Sequence, residues 1–313
     1  MPKTVVVTGA NSGIGLAMAH ELAARGATVC LACRNQAKAE AAREEIVRRT
    51  PGAEVDVLSL DLASFEHIHR FATDLAARHE RVDALINNAG ASPLKQQFTA
   101  EGFELQFGAN YLGPFLLTHL LLPQLRRAAE QTGDARIVHV ASVAHNIGRI
   151  DPDTFRGRSK YRPFPAYAQS KLANLMFNYA LARRLPDGLS THAMHPGGVD
   201  SDIYRELPRP VHAALRPFLI SADRAGRLGT ELALSPEYRD RSGEYLTAQR
   251  PNPGQPTGPR CRGAGGAVHR ECRARRRGAA PPTLITPRCT GSHANRLRRA
   301  LTSATVEVAR SFS

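Results

Sequence analysis

The sequence has no apolar run long enough to cross a bilayer. Its longest, "YLGPFLLTHLLLP" (111–123), is broken by His119 and falls short of the ~20 residues a spanning helix needs. No secretory leader stands before the first apolar segment, because "MPKTVVVTGA" runs straight into it. Cysteine is scarce, five in 313 residues. With neither leader nor membrane anchor, a soluble cytoplasmic protein with reduced thiols is expected. Cys30 and Cys33 have the spacing of a redox pair, but three residues apart on a strand they point to opposite faces and read as small core residues. Cys261, Cys272 and Cys289, even with His269 and His293, lack the paired spacing of a zinc site. No metal is expected.

Acid is short too: 28 Asp and Glu stand against 42 Lys and Arg, a net of +14. The excess is not spread evenly. Residues 250–313 hold thirteen Arg, no Lys and two acids (Glu271, Glu307), a net of +11, which leaves +3 for residues 1–249. The body is therefore nearly neutral. In the tail, "RARRRG" (273–278) could meet an acidic surface through counterion release. No aromatic interleaves the tail until Phe312, which argues against nucleic acid. Rich in Pro, Gly and Arg and without hydrophobic period, 250–313 reads as a mostly disordered or divergent tail.

Short β-branched runs alternate with amphipathic ones along the body. Strands are expected at "KTVVVTG", "ATVCLACR", "AEVDVLSLDL", "VDALINNAG", "ARIVHVAS", "LSTHAMHPG" and "GEYLT". Helices are expected over 13–25, 36–49, 64–79, roughly 101–130, and 167–185. Such alternation predicts an α/β, doubly wound parallel sheet in one domain, 1–249. Ligands of these sheets bind at the carboxyl ends of the strands.

The first strand is followed by "TGANSGIG", with Gly9, Gly13 and Gly15 at the opening of a helix. Glycines there let backbone N–H groups and the helix N-terminus approach a pyrophosphate. The second strand ends in Arg34, where an acid would bind a ribose 2′-hydroxyl; a guanidinium suits a 2′-phosphate, so NADP is favoured over NAD. Asp61 could accept from an adenine amino group, or cap the helix near Ser64.

In "AYAQSKLAN" (166–174) a tyrosine and a lysine lie four residues apart with no acid between them. On a helix Tyr167 and Lys171 share a face. A cation beside a phenol favours the phenolate, which makes Tyr167 a proton donor or acceptor usable near neutral pH. Three more polar features point to the same sheet edge: "NNAG" (87–90), Asn110 amid apolar neighbours, and Ser142 at the end of the fifth strand.

Together these motifs resemble the short-chain dehydrogenase/reductase family: TGxxxGxG (Thr8–Gly15), NNAG, Asn110, Ser142, YxxxK (Tyr167–Lys171) and "HPGGV" (195–199). "LACRN", "NYLGPFLLT", "VAS" and "AYAQSKLAN" are similar to its retinol-dehydrogenase-like branch, as is the long interval from Ser142 to Tyr167. The resemblance implies a Rossmann fold and hydride transfer between NADP(H) and an alcohol or carbonyl. Tyr167 would be the general acid/base, Ser142 would bond the reacting oxygen, and Lys171 would bind ribose hydroxyls. Asn110 would hold a water joining Lys171 to solvent. Cofactor contacts would come from Gly9, Asn11, Ser12, Gly13, Ile14 and Gly15, then from Arg34, Asp61 and Leu62. Asn88, Ala89 and Gly90 would follow, with Tyr167 and Lys171, then Pro196, Gly197, Val199 and Ser201. Homodimers, frequent in the family, could form on helices 101–130 and 167–185.

A flap over 202–220 carries Val211, Leu215, Phe218 and Leu219; Phe155, Tyr161 and Phe164 would form the opposite rim, which points to a lipophilic substrate. The alternative is a catalytically weak NADP-binding scaffold or sensor whose basic tail binds an acidic partner.

Overall fold

The computed structural model describes residues 2–198 and 221–248. The expectations for Val199, Ser201, the flap and the tail lie outside these residues. All seven expected strands form: β1 (Thr4–Thr8), β2 (Thr28–Cys33), β3 (Val55–Ser59), β4 (Ala84–Asn87), β5 (Ala135–Val140), β6 (Leu189–His195) and β7 (Glu244–Thr247). They make one parallel sheet in the order β3-β2-β1-β4-β5-β6-β7. The order reverses between β1 and β4, so the crevice for a ligand opens above their carboxyl ends.

Helices α1 (Gly13–Ala24), α2 (Gln36–Arg49), α3 (Phe65–Arg78), the single turn α4 (Leu105–Phe107), α5 (Gly113–Thr132), α6 (Pro163–Ala182) and α7 (Ala222–Leu234) cover both sides of the sheet. The two-residue alternation of the strands decides which side each residue joins. Val5 and Val7 pack with Met18 and Leu22 of α1, Ile46 of α2 and Leu232 of α7. Val6 packs with Phe71 of α3, Leu116 of α5 and Phe177 of α6. Each such fully buried side chain contributes about 1.5–3 kcal/mol. Cys30 and Cys33 sit on opposite sides of the sheet, as their spacing requires. Burial pushes the Cys33 thiol up to about 11, despite hydrogen bonds from the backbone of Ala10 and Asn11.

Three helical expectations need correction. The segment 101–130 is not one helix: α4 opens into a π-turn, Gly108–Leu112, before α5 begins. A proline ring crowds the carbonyl four residues before it and donates nothing to it, and Pro114 does this to Asn110. Helix α6 begins at Pro163, not near Tyr167, because proline is well suited to the first helical position. Helix α7 was not expected at all. Its start is marked by Ser221, whose side chain accepts from the Arg224 N–H, but Gly226 and Gly229 dilute the helical signal. Both glycines face α1: a Cβ at Gly226 would lie 3.0 Å from the Ala17 Cβ, and one at Gly229 2.6 Å from the Met18 Cε.

The interval between β5 and α6 folds outwards and docks on the α4 region. Phe155 stacks on Phe107 at 3.9 Å, and the Glu104 N–H donates to the Phe155 carbonyl at 2.8 Å. Phe155 is thus core, not rim. The Tyr161 hydroxyl is engaged by Gln106 Nε2 at 2.8 Å, so of the three aromatic residues expected at this edge only Phe164 lines the cleft.

Candidate active site

Two turns at the carboxyl edge of the sheet are locked together by the side chains of Thr8 and Asn88. Thr8 Oγ1 accepts from the N–H groups of Asn88 and Ala89, each at 3.0 Å. Asn88 Nδ2 donates to the Thr8 carbonyl at 2.8 Å. The turn after β1 needs glycine for conformation and for space. Gly9 and Gly13 have φ of +66° and +53°, which favours glycine. A Cβ on Gly15 would collide with the Gly9 carbonyl oxygen and lie 2.5 Å from Asn88 Nδ2. The result is a bare backbone cradle at the start of α1.

This cradle forms one end of a cleft of about 1020 Å³. Asn11, Ser12 and Ile14 line it beside the glycines; Ala89 and Gly90 line it from the β4 turn, and Pro196 and Gly197 from the end of β6. Arg34 and Leu62 also reach it, as does Asp61, whose Oδ1 accepts from the Ala63 N–H at 2.9 Å. The cap of α3 is Ser64, which accepts from the His67 N–H. Asp61 therefore makes a local turn beside the cleft and is not the cap.

At the other end stand Ser142, Tyr167 and Lys171. Ser142 caps the 3₁₀ turn Val143–Ile147, its Oγ accepting from the Ala144 N–H at 3.2 Å; a hydroxyl in that role keeps its own hydrogen to donate. The Lys171 side chain is buried, donates to the Val140 carbonyl at 2.8 Å, and holds its ammonium 5.5 Å from the centre of the Tyr167 ring. Burial lowers its pKa to about 8. His195 lines the same end and is kept neutral, burial and the neighbouring His145 and Lys171 lowering its pKa to about 4.

Asn110 stands behind the cleft wall. Its Oδ1 accepts from the Ala91 N–H at 2.7 Å, while its Nδ2 donates to the Ala91 carbonyl at 2.9 Å and to Ser170 Oγ at 3.2 Å. It ties the π-turn to the chain that follows β4.

Three residues of this arrangement escaped the sequence reading. Lys38 lines the cleft beside Arg34, one helical turn further on. Ser170 and Asn174 extend the face of Tyr167 and Lys171 at the i+3 and i+7 positions, a polar stripe that helical periodicity could have revealed. Among the described residues no group of His, Cys, Asp or Glu is arranged to hold a metal ion. The donors present suit a dinucleotide instead: a glycine cradle that a single Cβ would fill, two cations on α2 and the preceding turn, and a deep cleft running to a buried lysine and a tyrosine.

Comparison with known proteins agrees with this geometry. The chain is 42% identical to human retinol dehydrogenase 13 over 256 residues, 78% of this chain and 76% of that protein. It is 41% identical to mouse retinol dehydrogenase 12 over 248 residues, 78% and 77% of the two chains. A crystal structure of an uncharacterized protein from Mycobacterium paratuberculosis superposes with a TM-score of 0.61 at 38% identity, covering 79% of this chain and 82% of that one. The short chain dehydrogenase family profile matches residues 3–211. The chain belongs to the short-chain dehydrogenases, oxidoreductases that act on alcohols with a nicotinamide dinucleotide.

Proposed function

We propose that the protein interconverts a lipophilic alcohol and its carbonyl compound with NADP(H), with Tyr167 as general acid/base. The observation that carries this reading is the buried Lys171 ammonium, 5.5 Å from the Tyr167 ring in the same cleft as the glycine cradle. A bound dinucleotide supplies or takes up the hydride. In reduction, the Tyr167 hydroxyl gives its proton to the carbonyl oxygen; in oxidation, its phenolate takes the proton from the alcohol. Ser142 donates a hydrogen bond to that same oxygen and stabilises its charge. The Lys171 cation stabilises the phenolate.

The preference for NADP rests on Arg34 and Lys38, two cations at the cradle end, with Arg34 where an acid would bind a ribose 2′-hydroxyl. A 2′-phosphate is matched by this pair, whereas a bare ribose is not. The lipophilic substrate is supported by Val143, Ile147 and Phe164, which line the cleft and leave large apolar surfaces open, Ile147 being 63% and Phe164 56% exposed. The names of the two retinol dehydrogenases above point the same way. Among the described residues no helix is long and apolar enough to cross a membrane.

The test is Tyr167→Phe assayed on a panel of alcohols, aldehydes and ketones at the nicotinamide absorbance. Turnover should vanish while NADPH binding stays within about threefold of the parent protein, since the change removes a group acting only in the transition state. Retained turnover, or equal loss of binding and turnover, would refute the assignment. A parent protein that binds NADPH and turns over nothing would favour the scaffold.

A further inference from the structure

We propose that Asn174 is a positioning residue for this reaction: its amide grips the Asn110 carbonyl inside the π-turn and so holds Asn110 in register with the cleft. The inference rests on the roles given above to Tyr167 and Lys171, and adds to them a residue outside the cleft.

The argument begins with the backbone. In an α-helix the Asn110 carbonyl would accept from the N–H of residue 114. Residue 114 is proline, so that donor does not exist, and its ring crowds the same carbonyl. The chain widens into the π-turn Gly108–Leu112, closed by the Gly113 N–H on the Gly108 carbonyl. Asn174 Nδ2 donates to the Asn110 carbonyl at 2.9 Å, at the point where the α-helical i+4 donor is missing.

What this bond holds is the wall behind the chemistry. The side chain of Asn110 is committed on both atoms to Ala91, and its Nδ2 also reaches Ser170. Ser170 Oγ in turn donates to the Tyr167 carbonyl at 2.8 Å. A Cβ placed on Gly90 would lie 3.6 Å from Asn110 Oδ1 and 3.7 Å from Lys171 Nζ. Asn110 and Lys171 therefore meet against the same turn, and a shift of the carbonyl at 110 is a shift of that meeting point.

A purely packing role for Asn174 fits the observations less well. Its Oδ1 is buried with no hydrogen-bond partner among the described residues, a cost that leucine at this position would avoid. The amide is accounted for by its donor.

The experiment compares full-length Asn174→Leu and Asn174→Asp with the parent protein in the reduction of octanal by NADPH. Amide hydrogen exchange over residues 105–116 is followed by mass spectrometry alongside. Loss of the donor should speed exchange in that segment and lower kcat about 10–100-fold, as small misplacements of a catalytic group do, with KM for NADPH nearly unchanged. Asp keeps the shape of Asn and regains a donor only as its carboxyl protonates. Its kcat should therefore rise as pH falls below neutrality, a range in which neither the parent protein nor the Leu variant gains activity. The inference is overturned if a folded variant keeps the parent kcat and pH profile, or if exchange quickens without loss of kcat; should Leu fail to fold, the Asp variant decides. Tyr167→Phe, run beside them, separates the two levels. If it stays active the catalytic reading itself falls, whereas a dead Tyr167→Phe beside an unaltered Asn174→Asp removes Asn174 alone.

Discussion

Lys171 reaches the end of β5 and donates to the Val140 carbonyl at 2.8 Å, and burial alone lowers its pKa to about 8. Among the described residues no acid side chain offsets that burial. Its cation is present below about pH 8 and lost above it. In the direction of carbonyl reduction, kcat/KM should therefore fall as pH rises past 8. In Lys171→Arg, whose guanidinium stays charged, the alkaline fall of whatever activity remains should move to higher pH. A pH profile of the parent protein that stays flat to pH 10 would contradict this.

Arg34 and Lys38 give a prediction about cofactor choice. Arg34→Asp places a carboxylate where a 2′-phosphate would lie and should turn the preference towards NADH. Lys38→Ala should weaken NADPH by about 1.5–3 kcal/mol, tenfold or more, with little effect on NADH. Steady-state KM values for both cofactors measure the shift, and an unchanged ratio in both variants would take the pair out of the site.

Gly15→Ala tests the cradle. The new Cβ would press on the Gly9 carbonyl oxygen and on Asn88 Nδ2; the first is backbone and cannot swing aside. Overpacking of this kind costs about 1–3 kcal/mol, and the displaced turn should lose dinucleotide affinity by more than the melting temperature alone would suggest. Titration with NADPH and thermal unfolding of the unliganded variant distinguish the two losses.

Acid should destabilise the fold through His139 and His192. Both are buried on adjacent central strands, and burial lowers each pKa to about 3. The unfolded chain binds their protons near pH 6.5 and the folded one does not. Their contribution is thus intact above about pH 6.5 and lost as pH falls from there towards 3, at up to about 1.4 kcal/mol per unit for each histidine. Denaturant unfolding at pH 7 and pH 5 measures this, and the loss should shrink in His139→Gln. Equal stability at the two pH values in the parent protein would show that these imidazoles are already protonated when folded.

The strands were legible in the sequence because a buried parallel strand is a nearly unbroken β-branched run, and "VVV", "TVCLAC" and "RIVHV" have few other readings. The cradle, Ser142 and the Tyr167–Lys171 pair were legible because their spacing is local. What escaped depends on partners distant in sequence. The π-turn follows from Pro114 meeting the carbonyl of Asn110, but its stabilising donor lies sixty-four residues on, at Asn174. Helix α7 carries two glycines that propensity counts against it; their value appears only when α1 lies against them. Nothing local marks Lys38 out from the other charges of α2; the turn carrying Arg34 sets it at the cleft.

The close seating of α7 on α1 has a consequence for how this protein tolerates change. The gap between the two helices is set by missing atoms at 226 and 229, with Ala17 and Met18 on the other side, and the first turn of that same α1 is part of the bare cradle. A methyl group gained at either glycine would act as a wedge, felt about one helical turn away where the dinucleotide's phosphates would rest. Damage to α7 should thus surface first as a poorer grip on the cofactor, before any loosening of the sheet.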